Sequence, residues 1–221
     1  MLEQLSAAIT EIKQVIDWEQ DLLSASYVAF DIETTGLLPY KDDQIISIGA
    51  VIIENMSILN EPVFYQLVKP KKPVSPQSQK ITGITDDMLE DKPEIIEVLL
   101  DFLEFTGPRI LVAHNAAFDL AFINNEIAEA IGRRIVNPVI DTVLLASSLY
   151  YSFGDYSLEN LASRFQLDLE GRHHALADAR IAASLFLKLL PELKAREVNN
   201  LHELAQFFNA IDLTKGYPLI F

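Results

Sequence analysis

The order of strand-like and helix-like segments along the chain predicts an α/β protein, with a central sheet and helices packed on its faces. Three strands are expected first: the short apolar run Tyr27–Asp31, the segment Gln44–Glu54, which is rich in β-branched residues, and Val63–Val68. Beyond them, two short strand-like segments alternate with helical segments up to about residue 190. Three early strands followed by this alternation indicate one sheet covered by helices.

The segments after the third strand complete the expected order of elements. Residues 69–77 (KPKKPVSPQ) are expected to form a loop, because the prolines at 70, 73 and 76 oppose both a regular helix and a central strand. Short strands are expected at Ile110–His114 and Val139–Asp141. Helices are expected at Pro93–Phe105, Ala117–Ile131, from residue 142 to about Leu149, Ser157–Phe165 and Ala175–Leu190, with Pro191 just past the last one.

The two ends of the chain lie outside this alternating pattern. Residues 1–25 are predicted to form an amphipathic helix, because apolar residues recur there every three or four positions. Its polar face is acidic, so we expect it to pack on its own domain or on a second copy rather than on a membrane surface. The expected division is an N-terminal helix (1–25), a main domain (26–192) and a C-terminal helix with the apolar end YPLIF (193–221).

The composition of the 221-residue chain excludes several classes of protein. It contains no cysteine, which rules out a disulfide framework, thiolate metal sites and a cysteine nucleophile. No apolar run approaches the roughly 18 residues that span a bilayer, and the N-terminus lacks the pattern of a secretory signal. We therefore expect a cytoplasmic protein with no membrane partner.

The formal net charge of −15 opposes tight binding along a nucleic-acid backbone, because phosphate affinity comes largely from lysine and arginine. Acidic residues that hold divalent cations nevertheless present a neutral or positive site once loaded. A protein that acts at the end of a nucleic acid also needs only a few phosphate contacts. The acidic balance therefore does not exclude a protein that contacts nucleic acid through bound cations.

A pair of carboxylates ends the first predicted strand, in the segment Asp31-Ile32-Glu33-Thr34-Thr35-Gly36. Side chains two apart on a strand point to the same face, so Asp31 and Glu33 project together. Two adjacent carboxylates repel each other unless a positive charge lies between them, and a divalent cation is the natural choice. The alternative is a pair of solvated acids at the end of an edge strand.

Two later segments place further acids at helix starts. In His114-Asn115-Ala116-Ala117-Phe118-Asp119 a strand ends and Asp119 falls in the first turn of the next helix, where an acid also favours the helix N-terminus. In Arg172-His173-His174-Ala175-Leu176-Ala177-Asp178, the last acid lies among small apolar residues, where an unpaired carboxylate is costly. Arg172-His173-His174 alone could equally be an exposed basic turn. Asp141 is explained by N-capping of the helix that follows it.

Together the three segments resemble the DEDDh family of 3′→5′ exonucleases, which includes the proofreading epsilon subunit of bacterial DNA polymerase III. The family's patterns D-x-E-T-T-G, H-N-x-x-F-D and H-x-A-x-x-D all occur in that order, between about Tyr27 and Leu190. The resemblance implies a ribonuclease H-like fold, with a mixed central sheet of about five strands flanked by helices.

The resemblance also assigns roles to residues of this chain. Two Mg²⁺ or Mn²⁺ ions would be held by Asp31, Glu33, Asp119 and Asp178, and His173 would be the general base, with His174 a structural or electrostatic neighbour. The implied contacts to the terminal nucleotide come from Thr34, Thr35, Gly36 and Leu37, and from His114 and Asn115. A turn glycine that only redirects the chain is the alternative reading of the Thr34–Leu37 segment.

The resemblance leaves three functional readings open. Hydrolysis at a free 3′ end of DNA is expected first, and an RNA-trimming exonuclease or oligoribonuclease second, because one site can serve both polymers. The third reading is a nuclease-like binding module without activity, which the presence of all five expected catalytic residues opposes. The N-terminal helix and the YPLIF end suggest a homodimer or a polymerase-type protein partner.

Overall fold

A computed structural model describes residues 1–15, 17–39, 41 and 43–212, and these residues form a five-stranded sheet with helices on both faces. The strands are β1 (Tyr27–Thr34), β2 (Ile45–Glu54), β3 (Ser57–Leu67), β4 (Ile110–Ala113) and β5 (Val139–Asp141). The helices are α1 (Leu2–Val15), α2 (Pro76–Thr82), α3 (Asp86–Leu89), α4 (Ile95–Thr106), α5 (Ala116–Ile131), α6 (Thr142–Leu149), α7 (Leu158–Phe165), α8 (Ala175–Lys194) and α9 (Leu201–Asp212).

The sheet has the order β3-β2-β1-β4-β5 and mixes both kinds of pairing. Strand β2 pairs antiparallel with both β1 and β3, whereas β4 pairs parallel with β1, and β5 pairs parallel with β4. The predicted mixed α/β sheet of about five strands is therefore confirmed.

The central strand β1 separates two apolar cores. Tyr27 and Ala29 belong to a core shared with α6, α7, α8 and α9, whereas Val28 and Phe30 belong to a core shared with α1, α4 and α5. Alternate residues of a strand point to opposite faces, so burial on both sides explains why β1 reads as a continuous apolar run.

Strand β3 begins six residues earlier than predicted, at Ser57 instead of residue 63. The pair Glu54–Ser57 closes a hairpin whose two loop residues, Asn55 and Met56, have φ angles of 50° and 60°. A two-residue hairpin turn with both φ angles positive normally contains glycine. Because methionine is not typical of such a turn, the sequence did not predict it.

Two prolines occupy positions that the sequence analysis interpreted wrongly. Residues 69–77 do not form a loop throughout, because α2 begins at Pro76, whose missing N–H is harmless at the start of a helix. The Ser75 hydroxyl accepts a hydrogen bond from the amide of Ser78 and caps this helix. Helix α8 continues through Pro191 to Lys194, and its last turn is held in the core by the buried Leu193.

The N-terminal helix is shorter than predicted and ends at Val15. After it the chain forms turns, in which the carboxylates of Asp17 and Asp21 accept hydrogen bonds from backbone amides two or three residues later. Bonds of this kind compete with helix formation. Leu5, Ile9 and Ile12 are buried in the core beside α4 and α5, so the helix packs on its own domain.

The C-terminal part contains the expected helix, as α9, which packs against the α8 side of the sheet. The apolar end YPLIF lies outside the described residues. Within the described ranges, no helix has both the length and the apolar character that a membrane crossing requires.

Candidate active site

Three carboxylates meet at the end of β1 and form what we call the acidic cluster: Asp31, Glu33 and Asp178. One oxygen from each lies within 4.8 Å of the others. Asp31 and Glu33 project from the same face of β1, and Asp178 comes from the first turn of α8. Residues 145 positions apart in sequence are thus brought together by the packing of α8 against the sheet.

Gly49 on β2 allows α8 to approach this closely. It pairs directly with Asp31 in the sheet. A Cβ atom at position 49 would lie 2.2 Å from the backbone nitrogen of Leu176 and 2.3 Å from the carbonyl carbon of Ala175. Any side chain there would push the first turn of α8, and with it Asp178, away from Asp31. A glycine inside a β-branched strand was a signal for such a close approach.

Asp119, the fourth predicted ligand, lies beside the acidic cluster in the first turn of α5. Its Oδ1 accepts a hydrogen bond of 3.2 Å from the backbone amide of Ile32. The pairing of β1 with β4 ends at Ala29, so the Ile32 amide lies beyond the parallel ladder. It donates to the Asp119 carboxylate instead of to a backbone carbonyl of β4. Asp119 is only 3% exposed, and its charge raises the pKa of Asp31.

Burial raises the pKa of all four acids, and repulsion from neighbouring carboxylates adds to it for Asp31, Glu33 and Asp119. Burial is the largest cause for Asp31, followed by the charges of Asp119, Asp178 and Glu33. Burial and the charge of Asp178 raise the pKa of Glu33 to about 7. Burial also raises the pKa of Asp119 and of Asp178. Such a group of acids is unfavourable when ionised unless a cation lies among them.

Arg172 supplies one positive charge at the edge of the acidic cluster. Its Nη1 contacts Asp178 Oδ2, and its Nη2 lies 2.6 Å from Glu159 Oε1 on α7. The other oxygen of Asp178, Oδ1, is buried and has no hydrogen-bond partner among the described residues. An unpartnered buried carboxylate oxygen beside two further carboxylates fits a divalent cation that prefers oxygen ligands. The donor set therefore suits divalent metal ions.

The two adjacent histidines differ in their surroundings. His173 has a φ of 68°, and its backbone amide donates a 3.1 Å hydrogen bond to Asp178 Oδ2. Its exposed imidazole is close enough to Asp178 for its charge to lower the pKa of that acid. The ring of His174 instead stacks on Tyr65 of β3, with 4.3 Å between the centroids and 24° between the planes.

The turn after β1 borders a cavity of about 210 Å³. Thr34, Gly36 and Leu37 form one side of the cavity, and Leu37 is 69% exposed. The remaining lining comes from the acidic cluster's own strand, from α2 and from α5, and comprises Ile32, Glu33, Ser75, Gln77, Ser78, Ile81, Thr82 and Phe118. Because Glu33 lines it too, the cavity opens directly beside the acidic cluster.

Internal hydrogen bonds occupy both threonine hydroxyls of this turn. The Thr34 hydroxyl donates to the carbonyl oxygen of Gly36 at 2.5 Å. Thr35 is buried, where its hydroxyl donates to Asp43 at 3.3 Å and accepts from the amide of Gln44 at 3.0 Å. These two side chains therefore shape the turn, and the surface that it offers to a ligand is mostly backbone and Leu37.

His114 and Asn115 follow β4, where their contacts are with α6. His114 Nδ1 lies 2.9 Å from the Thr142 hydroxyl. Burial, and then the charge of Arg172, lower the pKa of His114 to about 4, so its imidazole is neutral at physiological pH. The Asn115 amide donates to Asp141 Oδ1, which also accepts from the Val143 amide and caps α6 as predicted.

Four residues that shape the site are not among the site residues predicted from the sequence. Gly49 and Arg172 are described above, Phe118 lines the cavity beside Leu37, and Tyr65 stacks on His174. Arg172 was interpreted only as part of a basic turn. Phe118 is the phenylalanine of the H-N-x-x-F-D pattern, which was the signal for it, whereas Tyr65 had no sequence signal, because an aromatic residue on a strand is usually part of a core.

The ribonuclease H-like sheet with carboxylates at the end of its central strand defines an α/β protein of the nuclease class. The family profile described as exonuclease matches residues 28–186. The chain belongs to the exonuclease family, and the predicted resemblance is confirmed.

Two curated relatives are named as DNA polymerase III proteins. The PolC-type DNA polymerase III of Thermotoga petrophila is 38% identical over 213 residues, which cover 95% of this chain and 15% of that protein. The DNA polymerase III subunit epsilon-like protein of Rhodobacter capsulatus is 42% identical over 180 residues, covering 80% of this chain and 25% of that protein. The chain thus spans a quarter or less of the length of these relatives.

Solved structures share the fold. Exonuclease X in complex with 5′-overhanging duplex DNA is 28% identical, with a TM-score of 0.63, and the match covers 82% of this chain and 99% of that one. The nuclease domain of 3′hExo, described as a DEDDh family member bound to rAMP, has a TM-score of 0.67 at 19% identity, covering 78% of this chain and 94% of that one. The second likeness concerns the fold alone.

Proposed function

We propose that this chain is a metal-dependent 3′→5′ exonuclease, which hydrolyses the terminal phosphodiester bond of a nucleic acid and releases a nucleoside monophosphate. The observation behind the proposal is the acidic cluster, with three carboxylate oxygens within 4.8 Å of one another beside the buried Asp119. A cavity of about 210 Å³ next to Glu33 supports action at a chain end, because it can receive one terminal residue.

The acidic cluster and Asp119 would hold two Mg²⁺ or Mn²⁺ ions. When bound, such ions neutralise charge on the attacking and leaving oxygens of a phosphodiester. The four carboxylates supply oxygen ligands only, which suits these ions better than zinc. Asp178 Oδ1 needs no rearrangement to become a ligand, since it is already without a hydrogen-bond partner. Its other oxygen is held by Arg172 and by the His173 amide.

His173 is the proposed general base. Its imidazole is exposed beside Asp178, and a neutral imidazole nitrogen can accept a proton from the attacking water. The water oxygen then forms the new bond to phosphorus, while the bond to the 3′ oxygen of the preceding nucleotide breaks. That oxygen takes up a proton as it leaves. His174 is a poorer candidate, because its ring is stacked on Tyr65.

The terminal nucleotide would lie in the cavity bordered by Thr34, Gly36 and Leu37. Leu37 and Phe118 offer apolar surface for a base, and the backbone of the turn offers polar contacts. The Thr34 and Thr35 hydroxyls keep this turn in shape through their internal bonds. His114 and Asn115 would support the site from the other side, as a neutral imidazole and an exposed amide.

DNA is the preferred substrate in this proposal, and RNA the second candidate. The relatives are named as DNA polymerase III proteins, and exonuclease X was solved with duplex DNA. These names also favour a polymerase-type protein partner over a homodimer, and they support the expected cytoplasmic location. An inactive binding module is disfavoured, because every expected metal-ligand and base position carries the required side chain.

A time course on 3′- and 5′-labelled single-stranded DNA and RNA oligonucleotides tests the proposal. Each would be run with Mg²⁺, with Mn²⁺ and with EDTA, beside the Asp31→Ala variant. We expect a metal-dependent ladder that shortens from the 3′ end, is absent in the variant and is faster on DNA. No cleavage of either polymer in either metal would overturn the proposal and favour the binding module.

Light scattering after size-exclusion chromatography tests the partner. The intact chain would be compared with a chain that lacks residues 1–24. We expect both to be monomers, since the buried face of α1 is already used within the domain. A dimer that dissociates on truncation would favour the homodimer.

A further inference from the structure

The first turn of α8 lies in a slot across the sheet, and this slot fixes Asp178. The sheet register places Asp31, Gly49 and Tyr65 side by side on β1, β2 and β3. Directly paired residues project to the same face of a sheet. Asp31 and Tyr65 therefore form the two walls of the slot, and Gly49, which has no side chain, forms its floor. The backbone of Ala175 and Leu176 lies on this floor.

Each wall of the slot contacts the α8 segment. On one side, Asp178 lies within 4.8 Å of Asp31 in the acidic cluster. On the other side, the half-buried Tyr65 stacks on His174, the residue that precedes the helix.

Repulsion between carboxylates opposes this arrangement. One carboxylate oxygen of Asp31 and one of Asp178 lie within 4.8 Å of each other, and two ionised carboxylates this close repel, which pushes α8 away from β1 before cations bind. The Arg172 contact with Asp178 neutralises part of that charge, but Arg172 lies on the same loop as His173 and cannot tether the loop to the sheet by this bond. The stack of His174 on Tyr65 does join the loop to the sheet.

We propose that Tyr65 and His174 form an aromatic clamp, which holds the start of α8 against β3 and so positions Asp178 as a ligand and His173 as a base. This inference rests on the proposed exonuclease function and adds two positioning residues to it. Neither touches the reacting atoms. The ring of Tyr65 carries the effect, and its hydroxyl is dispensable.

Four variants and one control test the clamp: Tyr65→Ala, Tyr65→Phe, His174→Ala, the double variant Tyr65→Ala with His174→Ala, and Tyr151→Ala. Tyr151 is 88% exposed and serves as a matched tyrosine outside the slot. We expect Tyr65→Ala to lower kcat by roughly 2- to 10-fold, the range of one aromatic pair, with little change in KM. Tyr65→Phe and Tyr151→Ala should keep the wild-type kcat.

The double variant separates a pair from two independent residues. If the two rings act only through their stack, Tyr65→Ala with His174→Ala loses no more than either single variant. A second readout needs no turnover: the Mg²⁺ concentration at which thermal stabilisation is half complete. We expect this concentration to rise for Tyr65→Ala and for His174→Ala, and to stay unchanged for Tyr65→Phe.

The outcomes distinguish failure of the clamp from failure of the proposed function. If the wild-type protein cleaves nucleic acid but Tyr65→Ala keeps both its kcat and its Mg²⁺ midpoint, the clamp is wrong and the function stands. A Tyr65→Phe variant as impaired as Tyr65→Ala would also overturn the clamp, because it would assign the effect to the hydroxyl. If the wild-type protein cleaves nothing, the proposed function fails, and a raised Mg²⁺ midpoint would still support the clamp.

Discussion

Replacing Glu33 by glutamine tests whether ionisation of this acid within the acidic cluster lowers the free energy of unfolding. The pKa of Glu33 is raised from its usual 4.5 to about 7, first by burial and then by the charge of Asp178. At about 1.4 kcal/mol for each pH unit, this corresponds to roughly 3 kcal/mol of folding free energy lost when Glu33 ionises. Glutamine has nearly the same shape and no charge, so it removes that loss.

The raised pKa fixes the pH range of the effect. Because the folded protein binds this proton more tightly than the unfolded chain, the contribution to stability is fully present below pH 4.5 and is lost as the pH rises through about 7. In EDTA at pH 8, the free energy of unfolding of Glu33→Gln should therefore be up to about 3 kcal/mol higher than that of the wild type. The two proteins should converge towards pH 4.

Urea unfolding in EDTA at several pH values measures this difference, and Glu104→Gln is the control. Glu104 lies exposed on α4 and belongs to none of the segments that form the site, so its neutralisation should change little. Saturating Mg²⁺ should then stabilise the wild type and the control more than Glu33→Gln, which has lost a ligand. If Glu33→Gln is no more stable than Glu104→Gln at pH 8 in EDTA, the reasoning about the acidic cluster is wrong.

Three further variants test other parts of the site. His173→Ala should lower kcat by about 10²- to 10⁴-fold while nearly keeping the Mg²⁺ midpoint, whereas His174→Ala should have a mild effect on kcat. A larger loss of rate for His174→Ala in a single-turnover assay would exchange the roles of the two histidines. Gly49→Ala should destabilise the protein by roughly 1–3 kcal/mol and raise the Mg²⁺ midpoint, because its Cβ would displace α8. An unchanged Mg²⁺ midpoint in a thermal-shift assay would show that Gly49 does not set the position of α8. The free energy of unfolding of the wild type should fall by up to about 3 kcal/mol as the pH falls from 6.5 to about 4, because the buried His114 imidazole resists protonation. His114→Gln should not show this fall. Parallel curves of the free energy of unfolding against pH for the two proteins would refute this.

The elements of the fold follow from local sequence patterns. A short apolar run specified β1, a run rich in β-branched residues specified β2, and spacings of three or four specified the long helices, because these patterns come directly from strand and helix geometry. The predictions failed where a local rule has exceptions. Pro76 is tolerated at the first position of α2, and Met56 adopts a positive φ in the turn before β3.

The sequence also determined which acids could hold metal, because Asp31 and Glu33 lie two apart on one strand and because the three motifs occur in the order of a known family. Their separation in space was decided by tertiary structure. Asp178 reaches Asp31 only because Gly49 leaves room for the backbone of α8, and Asp119 is fixed by an amide of β1 that extends beyond the parallel ladder.

Tertiary packing likewise decided the charge and orientation of residues whose identity the sequence had supplied. The Thr35 hydroxyl turns inward to Asp43 and Gln44, His114 is kept neutral by burial, and the ring of His174 rests on Tyr65. Each of these depends on a neighbour distant in sequence or on removal from water. A residue's type sets which bonds and charges it can have, and only the packed chain sets which of them it has.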